Sequence, residues 1–278
     1  MAEDSLVRGV LSFIDSLVLG MSTLMYSASF FEDEDESEKE KQKDSPEKMK
    51  AKENAMMGGT VALSVILAIA IFMILPYYLS VFCSRFIASD MIVAVLEGIL
   101  RLAIFIGYIV VISKMKEIQR VFMYHGAEHK CINCIEHGME LNVENVRRSS
   151  KEHKRCGTSF LLIVMVISIL FFMVVRVDTI WLRIVSRIVL IPVIAGVSYE
   201  VLRLAGTSNS KIMDIVSRPG MWMQGLTTKE PDDSMIEVAI VAVEAVFDWK
   251  KYLEENFPEL YPAGYLREKI RLGRTCRR

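Results

Sequence analysis

Histidine and cysteine are concentrated in one short part of this chain. All four histidines and three of the five cysteines lie between His125 and Cys156. His125 and His129 are four residues apart, so on a helix both imidazoles lie on one face, where they can bind one metal ion. Glu128 lies next to that face and completes the inverted zincin pattern H-x-x-E-H. The spacing predicts a metal site in which Glu128 deprotonates a water, and a merely polar surface beside a membrane helix is the competing interpretation.

The remaining metal ligands are expected farther along the chain. His153 and Cys156 immediately precede a long apolar stretch, and either side chain can complete the shell of a metal that keeps a water in its fourth position. Thr158 or Ser159 is expected to cap the helix that follows. The free N–H groups at the start of that helix favour a thiolate at Cys156.

Other residues in this part of the chain fit such a site poorly. On a continuous helix Cys131 and Cys134 turn roughly 120 to 240° away from the histidine face. Glu136 returns to that face but lies about 10 Å beyond His129 along the helix axis. His137 precedes a glycine and is typical of a solvated helix cap.

The composition is that of a membrane protein. The residues are 52% hydrophobic and 24% charged, with a mean hydropathy of +0.33. Four apolar stretches are long enough to cross a bilayer: residues 60–83, 91–113, 158–175 and 180–199. We therefore predict an all-α membrane protein with about four transmembrane helices, plus interfacial and cytosolic helices.

Six segments follow from this pattern. They are an interfacial amphipathic helix (1–31), a charged disordered linker (32–55), a first transmembrane pair (56–113), a cytosolic His/Cys-rich loop (114–157), a second transmembrane pair (158–206) and a cytosolic or interfacial C-terminal region (207–278). The metal cluster can form only if the chain bends between Lys114 and His125, because a straight helix would carry His125 about 18 Å beyond the second span. Trp222 and Met223 are expected to rest on the membrane surface.

The distribution of lysine and arginine predicts the orientation. The connections after the first and third spans each contain one basic residue, whereas residues 114–155 contain nine and residues 207–278 contain eleven. The positive-inside rule places the central loop and both termini in the cytosol of a multi-pass membrane protein. The lipid bilayer is thus the expected partner. The net charge of −1 argues against nucleic acid, which needs a basic surface.

Several longer strings resemble one family. His-Gly-Ala-Glu-His-Lys from His125, His-x-Arg-Cys-Gly-Thr-Ser-Phe from His153 and Pro-Gly-x-Trp-x-Gln from Pro219 are similar to the YqhQ-like family of bacterial membrane proteins, over most of residues 6–246. The resemblance implies a predicted metal-dependent enzyme of unknown function. The chain's matching positions are His125, Glu128, His129, His153 and Cys156, whereas Cys131 and His137 depart from the pattern. The family's glycine-rich N-terminal segment has no counterpart in this sequence.

Two functions remain open at the level of sequence. The first is a metal-dependent hydrolase, with zinc as the expected divalent metal, acting on a peptide or lipid-linked substrate at the cytosolic membrane face. The second is a non-enzymatic scaffold or regulator of other membrane proteins, with a structural metal or none. A transporter has less support, because the four spans show no internal repeat.

Overall fold

The computed structural model describes residues 2–28, 30, 46–175, 179–207 and 210–266, and every regular element in these ranges is a helix. The elements are α1 (Ala2–Ala28), α2 (Pro46–Ile69), a π-helical turn (Ala70–Ile74), α3 (Leu75–Ser84), α4 (Asp90–Ile112), α5 (Lys116–Glu136), α6 (Val143–Arg148), α7 (Gly157–Val174), α8 (Ile180–Thr207), α9 (Lys211–Thr227), α10 (Asp233–Val246) and α11 (Trp249–Asn256). The prediction of an all-α membrane protein is confirmed.

Five helical segments within the described ranges are long and apolar enough to cross a membrane: Val7–Ser27, Gly58–Ser84, Met91–Ile112, Gly157–Val174 and Val189–Gly206. The last four correspond to the predicted spans. The first lies in α1, for which the sequence predicted an interfacial helix, and its hydropathy of 1.4 is the lowest of the five. By length and apolarity alone, the described residues thus contain five candidate spans, one more than the sequence predicted.

The helix of the candidate span Gly58–Ser84 changes its hydrogen-bonding pattern just before Pro76. The hydrogen-bonding pattern widens to a π-helix at Ala70–Ile74, and α3 then begins with Pro76 in its first turn. Proline has no N–H and its ring crowds the carbonyl four residues earlier, so the helix relieves the clash by widening one turn. The charged linker predicted over 32–55 overlaps α2 from residue 46 onward, because Pro46 suits a first helical position. The rest of that linker lies outside the described residues.

The chain divides into two compact units. The first comprises Met1–Ile106 and Ile163–Val201. Within it Arg101 donates to Glu97 at 3.0 Å and lies over the ring of Phe172, with both charged side chains largely buried. The two residues therefore form an i,i+4 ion pair within one helix, and a neighbouring helix covers it. Pairing is the arrangement expected of charges within a candidate membrane span.

Helices α1 and α8 also meet within the first unit. A Cβ atom on Gly9 would lie 2.8 Å from the carbonyl oxygen of Gly196, so only glycine permits this approach. One residue earlier, Arg8 donates to Glu200 at 2.7 Å. The N-terminal end of α1 therefore lies beside the C-terminal half of α8.

The second unit comprises Gly107–Leu162 and Leu202–Arg278. Its core lies between α5, α6, α10 and α11 and contains Cys131, Cys134, Ile135, Val146, Ile236 and Leu253. The chain leaves the helical path at residues 113–115 and resumes it in α5, where Met115 has an extended backbone (ψ 134°). The required bend between Lys114 and His125 is thus confirmed. It frees α5 to pack within this unit.

Candidate metal centre

Helix α5 places two histidines on one face, as their spacing predicts. The ring centroids of His125 and His129 are 4.4 Å apart. His129 is buried and His125 is partly buried. Between them, Gly126 permits a close crossing of the chain, since a Cβ atom there would lie 2.1 Å from the carbonyl oxygen of Lys229. The backbone N–H of Lys229 also donates to the carbonyl of Phe122 at 2.9 Å, which fixes the crossing.

Both imidazoles are oriented by backbone carbonyls. Nδ1 of His125 lies 2.9 Å from the carbonyl oxygen of Thr227, and Nδ1 of His129 lies 2.7 Å from that of Lys151. A carbonyl can only accept a hydrogen bond, so each Nδ1 carries the proton and each Nε2 keeps its lone pair. The lone pair at Nε2 is that of the neutral imidazole, the form that binds metal, and this is the arrangement by which proteins orient histidine ligands toward a metal.

The thiol of Cys156 faces these lone pairs. Its Sγ lies 3.3 Å from Nε2 of His125, and one ligand atom from each of His125, His129 and Cys156 lies within 4.8 Å of the others. A tetrahedral zinc site with bonds of about 2.0–2.1 Å to nitrogen and about 2.3 Å to sulfur separates its ligand atoms by roughly 3.3–3.6 Å. The three side chains can therefore converge on one metal ion.

Cys156 lies at the start of α7 and receives its N-terminal hydrogen bonds. The backbone N–H of Thr158 donates to Sγ at 3.4 Å, and the Thr158 hydroxyl lies 3.1 Å from it. The capping role predicted for Thr158 or Ser159 was wrong, because α7 begins at Gly157 and both lie inside its first turn. The predicted benefit of the free N–H groups to a thiolate at Cys156 is nevertheless present.

The ionisation of Cys156 and His125 is coupled. Burial by itself raises the pKa of the Cys156 thiol, but hydrogen bonds from His125, His129 and Thr158 outweigh it and lower that pKa to about 5. Burial likewise lowers the pKa of His125, but the hydrogen bond and charge of Cys156, the Thr227 carbonyl and the Glu128 charge together raise it. Without a metal, the two groups thus favour a thiolate–imidazolium pair.

His153 lies beside the cluster and has a different partner. Its ring centroid is 5.9 Å from that of His129, but its Nε2 lies 3.1 Å from a carboxylate oxygen of Glu136. Arg155 also donates to Glu136. The hydrogen bond from His153 is the main cause that lowers the pKa of the Glu136 carboxyl. Of the two residues predicted to complete the metal shell, the structure brings Cys156 into the cluster and pairs His153 with Glu136.

Glu128 is exposed on α5, and its charge affects the ionisation of His125, a predicted metal ligand. Burial lowers the pKa of His125, whereas Cys156, the Thr227 carbonyl and then the Glu128 charge raise it. No hydrogen bond is assigned to the Glu128 carboxylate among the described residues. It is therefore positioned to meet solvent beside the cluster, which is compatible with the predicted base.

The two cysteines of the C-x-x-C motif belong to the core. Cys131 and Cys134 are fully buried among apolar side chains of the second unit. Burial raises the pKa of Cys131 to about 12 and that of Cys134 to about 11. His137 is the exposed C-cap residue of α5, next to Gly138 with a φ of +72°. The exclusion of all three residues from the metal site agrees with their placement.

Side chains that the sequence analysis missed hold the segment before Cys156. Asn133 donates to the carbonyls of Ser150 and Glu152 at 2.7 and 2.9 Å. Buried Lys130 donates to two more carbonyls of that segment, at 2.8 and 3.0 Å, and pairs with Glu230. With His129, one face of α5 thus binds five carbonyl groups. The available signal was a lysine and an asparagine beside His129, in the half of α5 that is mostly buried.

A buried glutamine forms the second support that sequence reasoning missed. The side chain of Gln224 accepts from the backbone N–H of His153 at 2.8 Å and donates to its carbonyl at 2.7 Å. It also donates to the Ser159 hydroxyl at 2.8 Å and is fully buried. It therefore clamps both sides of Cys156. An isolated glutamine between apolar residues gave a signal, but nothing local identified its partner 71 residues away.

Known proteins place the chain in a family. The DUF1385 family, described as "Protein of unknown function", matches residues 5–249. The chain belongs to this family. It is also 34% identical over 266 residues to "Uncharacterized protein YqhQ" of Bacillus subtilis (strain 168), covering 90% of this chain and 79% of that protein. The resemblance drawn from the sequence is confirmed, and no solved structure matches.

Proposed function

We propose that this protein is a metal-dependent hydrolase of the cytosolic membrane face, with His125, His129 and Cys156 as its metal ligands. The observation that carries the proposal is the convergence of these three ligand atoms within 4.8 Å, with both imidazoles oriented by carbonyls. A merely polar surface, the competing interpretation, would not require its imidazoles to be oriented in this way. Two imidazoles and one thiolate suit zinc, which accepts nitrogen and sulfur together in a tetrahedral shell.

An open fourth position distinguishes a catalytic zinc site from a structural one. Among the described residues the cluster contains three protein ligands, since His153 is paired with Glu136 and the C-x-x-C thiols lie in the core. When bound, a divalent metal would supply a Lewis acid and acidify a water at that position. The exposed carboxylate of Glu128 would accept the proton. The shortage of protein ligands favours the hydrolase over the scaffold with a closed metal site.

A second candidate is a metal-free thiol enzyme. The 3.3 Å separation of Cys156 Sγ and His125 Nε2, at the start of a helix, is the arrangement of an activated cysteine. The thiolate would attack a carbonyl carbon and form a thioester, and His125 would give its proton to the leaving group. Water would then release the acyl group and restore the thiol. A requirement for metal in the active protein separates this candidate from the first.

The cytosolic orientation has support from the ion pair between Arg8 and Glu200. If all five candidate helices crossed the bilayer, these two residues would lie at opposite faces, because five crossings would separate them. Their 2.7 Å contact therefore favours an even number of crossings between them. α1 has the lowest hydropathy of the five and is the helix that we expect not to cross. Four crossings, together with the basic loops, favour a cytosolic location for both termini.

Elemental analysis of the protein purified in detergent tests the proposal. We expect about one zinc per chain in the wild type and in Glu128→Gln, and little metal in His125→Ala, His129→Ala or Cys156→Ala. His137→Ala is the matched control, since this exposed histidine lies on the same helix outside the cluster. Full metal in all three ligand variants, or none in the wild type after zinc reconstitution, would contradict the metal site.

A hydrolase screen then tests the catalytic part. A mixture of ester, peptide and lipid-linked substrates is offered to the zinc-loaded protein and to Glu128→Gln. We expect turnover that is lost in the variant while its metal is retained. Equal metal in both proteins with no turnover in either would favour the scaffold. Turnover that survives complete removal of metal would favour the thiol enzyme.

A further inference from the structure

Helix α9 is amphipathic in an unusual sense, because its exposed face is apolar. Ile212, Ile215 and Trp222 are 67%, 61% and 60% exposed, whereas Met223, which was also predicted to rest on the membrane surface, is buried. At 100° per residue they fall on one side of the helix with Pro219, a stripe that we call the outer α9 stripe. The basic residue Arg218 borders it. Exposed apolar side chains gathered on one helix face, with basic residues beside them, are typical of a surface that meets lipid.

The opposite face of α9 packs on the start of α7. A Cβ atom on Gly220 would lie 2.6 Å from the hydroxyl oxygen of Ser159, so the two helices touch at this point. One turn later, Gln224 donates to the same hydroxyl. Both contacts lie within the second unit. The helix is therefore fixed beside the first turn of α7.

The first turn of α7 is also the beginning of a candidate span. The apolar segment starts at Gly157, directly after Cys156. The first turn of a spanning helix lies where the bilayer meets water. Chain length also limits the depth of the other end of α9, because Lys211 follows the last residue of α8, Thr207, by only four residues. Four residues reach at most about 14 Å.

We propose that the outer α9 stripe inserts into the headgroup region of the cytosolic leaflet. Tryptophan is favoured at this depth, and the positive charges of Lys211 and Arg218 suit anionic lipid headgroups. A second exposed apolar group, Val238 and Val241 of α10, provides a contrast. It is bordered by Glu237 and Glu244, whose charges repel an anionic leaflet. The lipid surface is therefore assigned to α9.

This placement also indicates the class of substrate, a point that rests on the proposed function. The inner face of α9 carries Gln224, which clamps the backbone at His153, and Thr227, whose carbonyl orients His125. With the outer face in the headgroups, the cluster lies at nearly the same depth. The substrate class is thus a membrane-resident molecule, a lipid or membrane-anchored peptide whose cleaved bond lies at headgroup level.

Depth-dependent fluorescence quenching tests the insertion in the full-length protein. The protein is reconstituted into vesicles of phosphatidylethanolamine and phosphatidylglycerol that carry a nitroxide at either the 5 or the 12 position of an acyl chain. Subtracting the signal of Trp222→Phe from that of the wild type isolates Trp222, because Trp181 and the buried Trp249 are common to both proteins. We expect the shallow nitroxide to quench Trp222 about twofold more than the deep one, since interfacial helices insert only about 5–10 Å.

The matched control puts a tryptophan on α10. Val241→Trp is combined with Trp222→Phe, and this residue is as exposed as those of the outer α9 stripe. We expect little quenching of it by either label. Equal and weak quenching at positions 222 and 241 would overturn the insertion and leave a soluble partner as the occupant of α9. This readout does not depend on metal content or turnover, so its failure is distinguishable from failure of the hydrolase proposal.

Discussion

Two groups of cysteines in the second unit lie in different surroundings. Cys131 and Cys134 of α5 lie in the apolar core, whereas Cys156, just before α7, lies beside His125 and His129. Cys131 and Cys134 form the more conspicuous sequence motif, yet burial raises their pKa values to about 12 and about 11. Cys156 is also buried, which by itself raises its pKa, but hydrogen bonds from His125, His129 and Thr158 lower that pKa to about 5. Burial is therefore common to both regions. The hydrogen-bonding partners decide which thiol can become a thiolate and bind metal.

The largest expected difference between the two regions is in metal binding. Cys156→Ala should weaken zinc binding by more than about 100-fold, because loss of a direct ligand costs more than loss of an outer partner. Cys134→Ala should leave zinc affinity within a few-fold of wild type. Competition with a chromophoric chelator measures both. Loss of zinc in a folded Cys134→Ala variant would contradict this difference between Cys134 and Cys156.

Substitution with aspartate should separate the two regions in stability. In Cys131→Asp an unpaired carboxylate enters the apolar core, so the variant should lose about 3–5 kcal/mol or be recovered with its carboxyl protonated. In Cys156→Asp the carboxylate can accept the Thr158 N–H and pair with His125, so the thermal midpoint should change little. Midpoints are compared in one detergent without metal. An equally large drop in both variants would show that site 156 is as apolar as the core.

The rate of thiol alkylation should also depend on pH differently at Cys156 and at Cys134. The pKa of Cys156 is about 5, so its thiolate is complete above pH 6 and is lost as the pH falls through 5. Iodoacetamide should therefore modify it at a nearly constant rate from pH 6 to 8. The thiol of Cys134, with a pKa of about 11, should react tenfold faster for each pH unit in this range. Mass spectrometry of chelator-treated protein lacking Cys83 and Cys276 follows each site.

The smallest expected effect concerns the support of Cys156. Gln224→Met keeps side-chain volume but removes the hydrogen bonds to His153 and Ser159. Since supporting groups typically contribute 10–100-fold to metal affinity, we expect a loss of about tenfold. Gln224→Glu keeps the acceptor for the His153 N–H and should lose less. If both variants bound zinc like the wild type, the metal ligands would hold their positions without this clamp.

The spacing along α5 made part of the site predictable. His125 and His129 share a face because the helical period dictates it, and the same rule excluded Cys131 and Cys134. The sequence left His153 and Cys156 as alternatives, because the choice depends on Glu136, which lies on α5 at a distance from both in sequence. The catalytic role of Glu128 stays a prediction.

The fold, like the site, was predictable in part. Apolar stretches located the candidate spans, because about 20 such residues suffice to cross a bilayer. The contacts of Gln224 and Thr227 were not predictable, since they join residues 71 and 102 positions apart through tertiary packing. The contact of Gly9 with Gly196 was hidden for the same reason, because an isolated glycine does not reveal its neighbour.

The hydrogen bond between His125 and Thr227 also sets an order of events during biosynthesis. The acceptor follows the imidazole by 102 residues, so at about 5–20 residues per second it is made roughly 5–20 s later. During that interval the ribosome has already delivered both histidines and Cys156, but His125 still lacks the carbonyl that orients it. If the cluster binds a metal ion, stable capture should consequently be a late step, after synthesis of the candidate span Val189–Gly206.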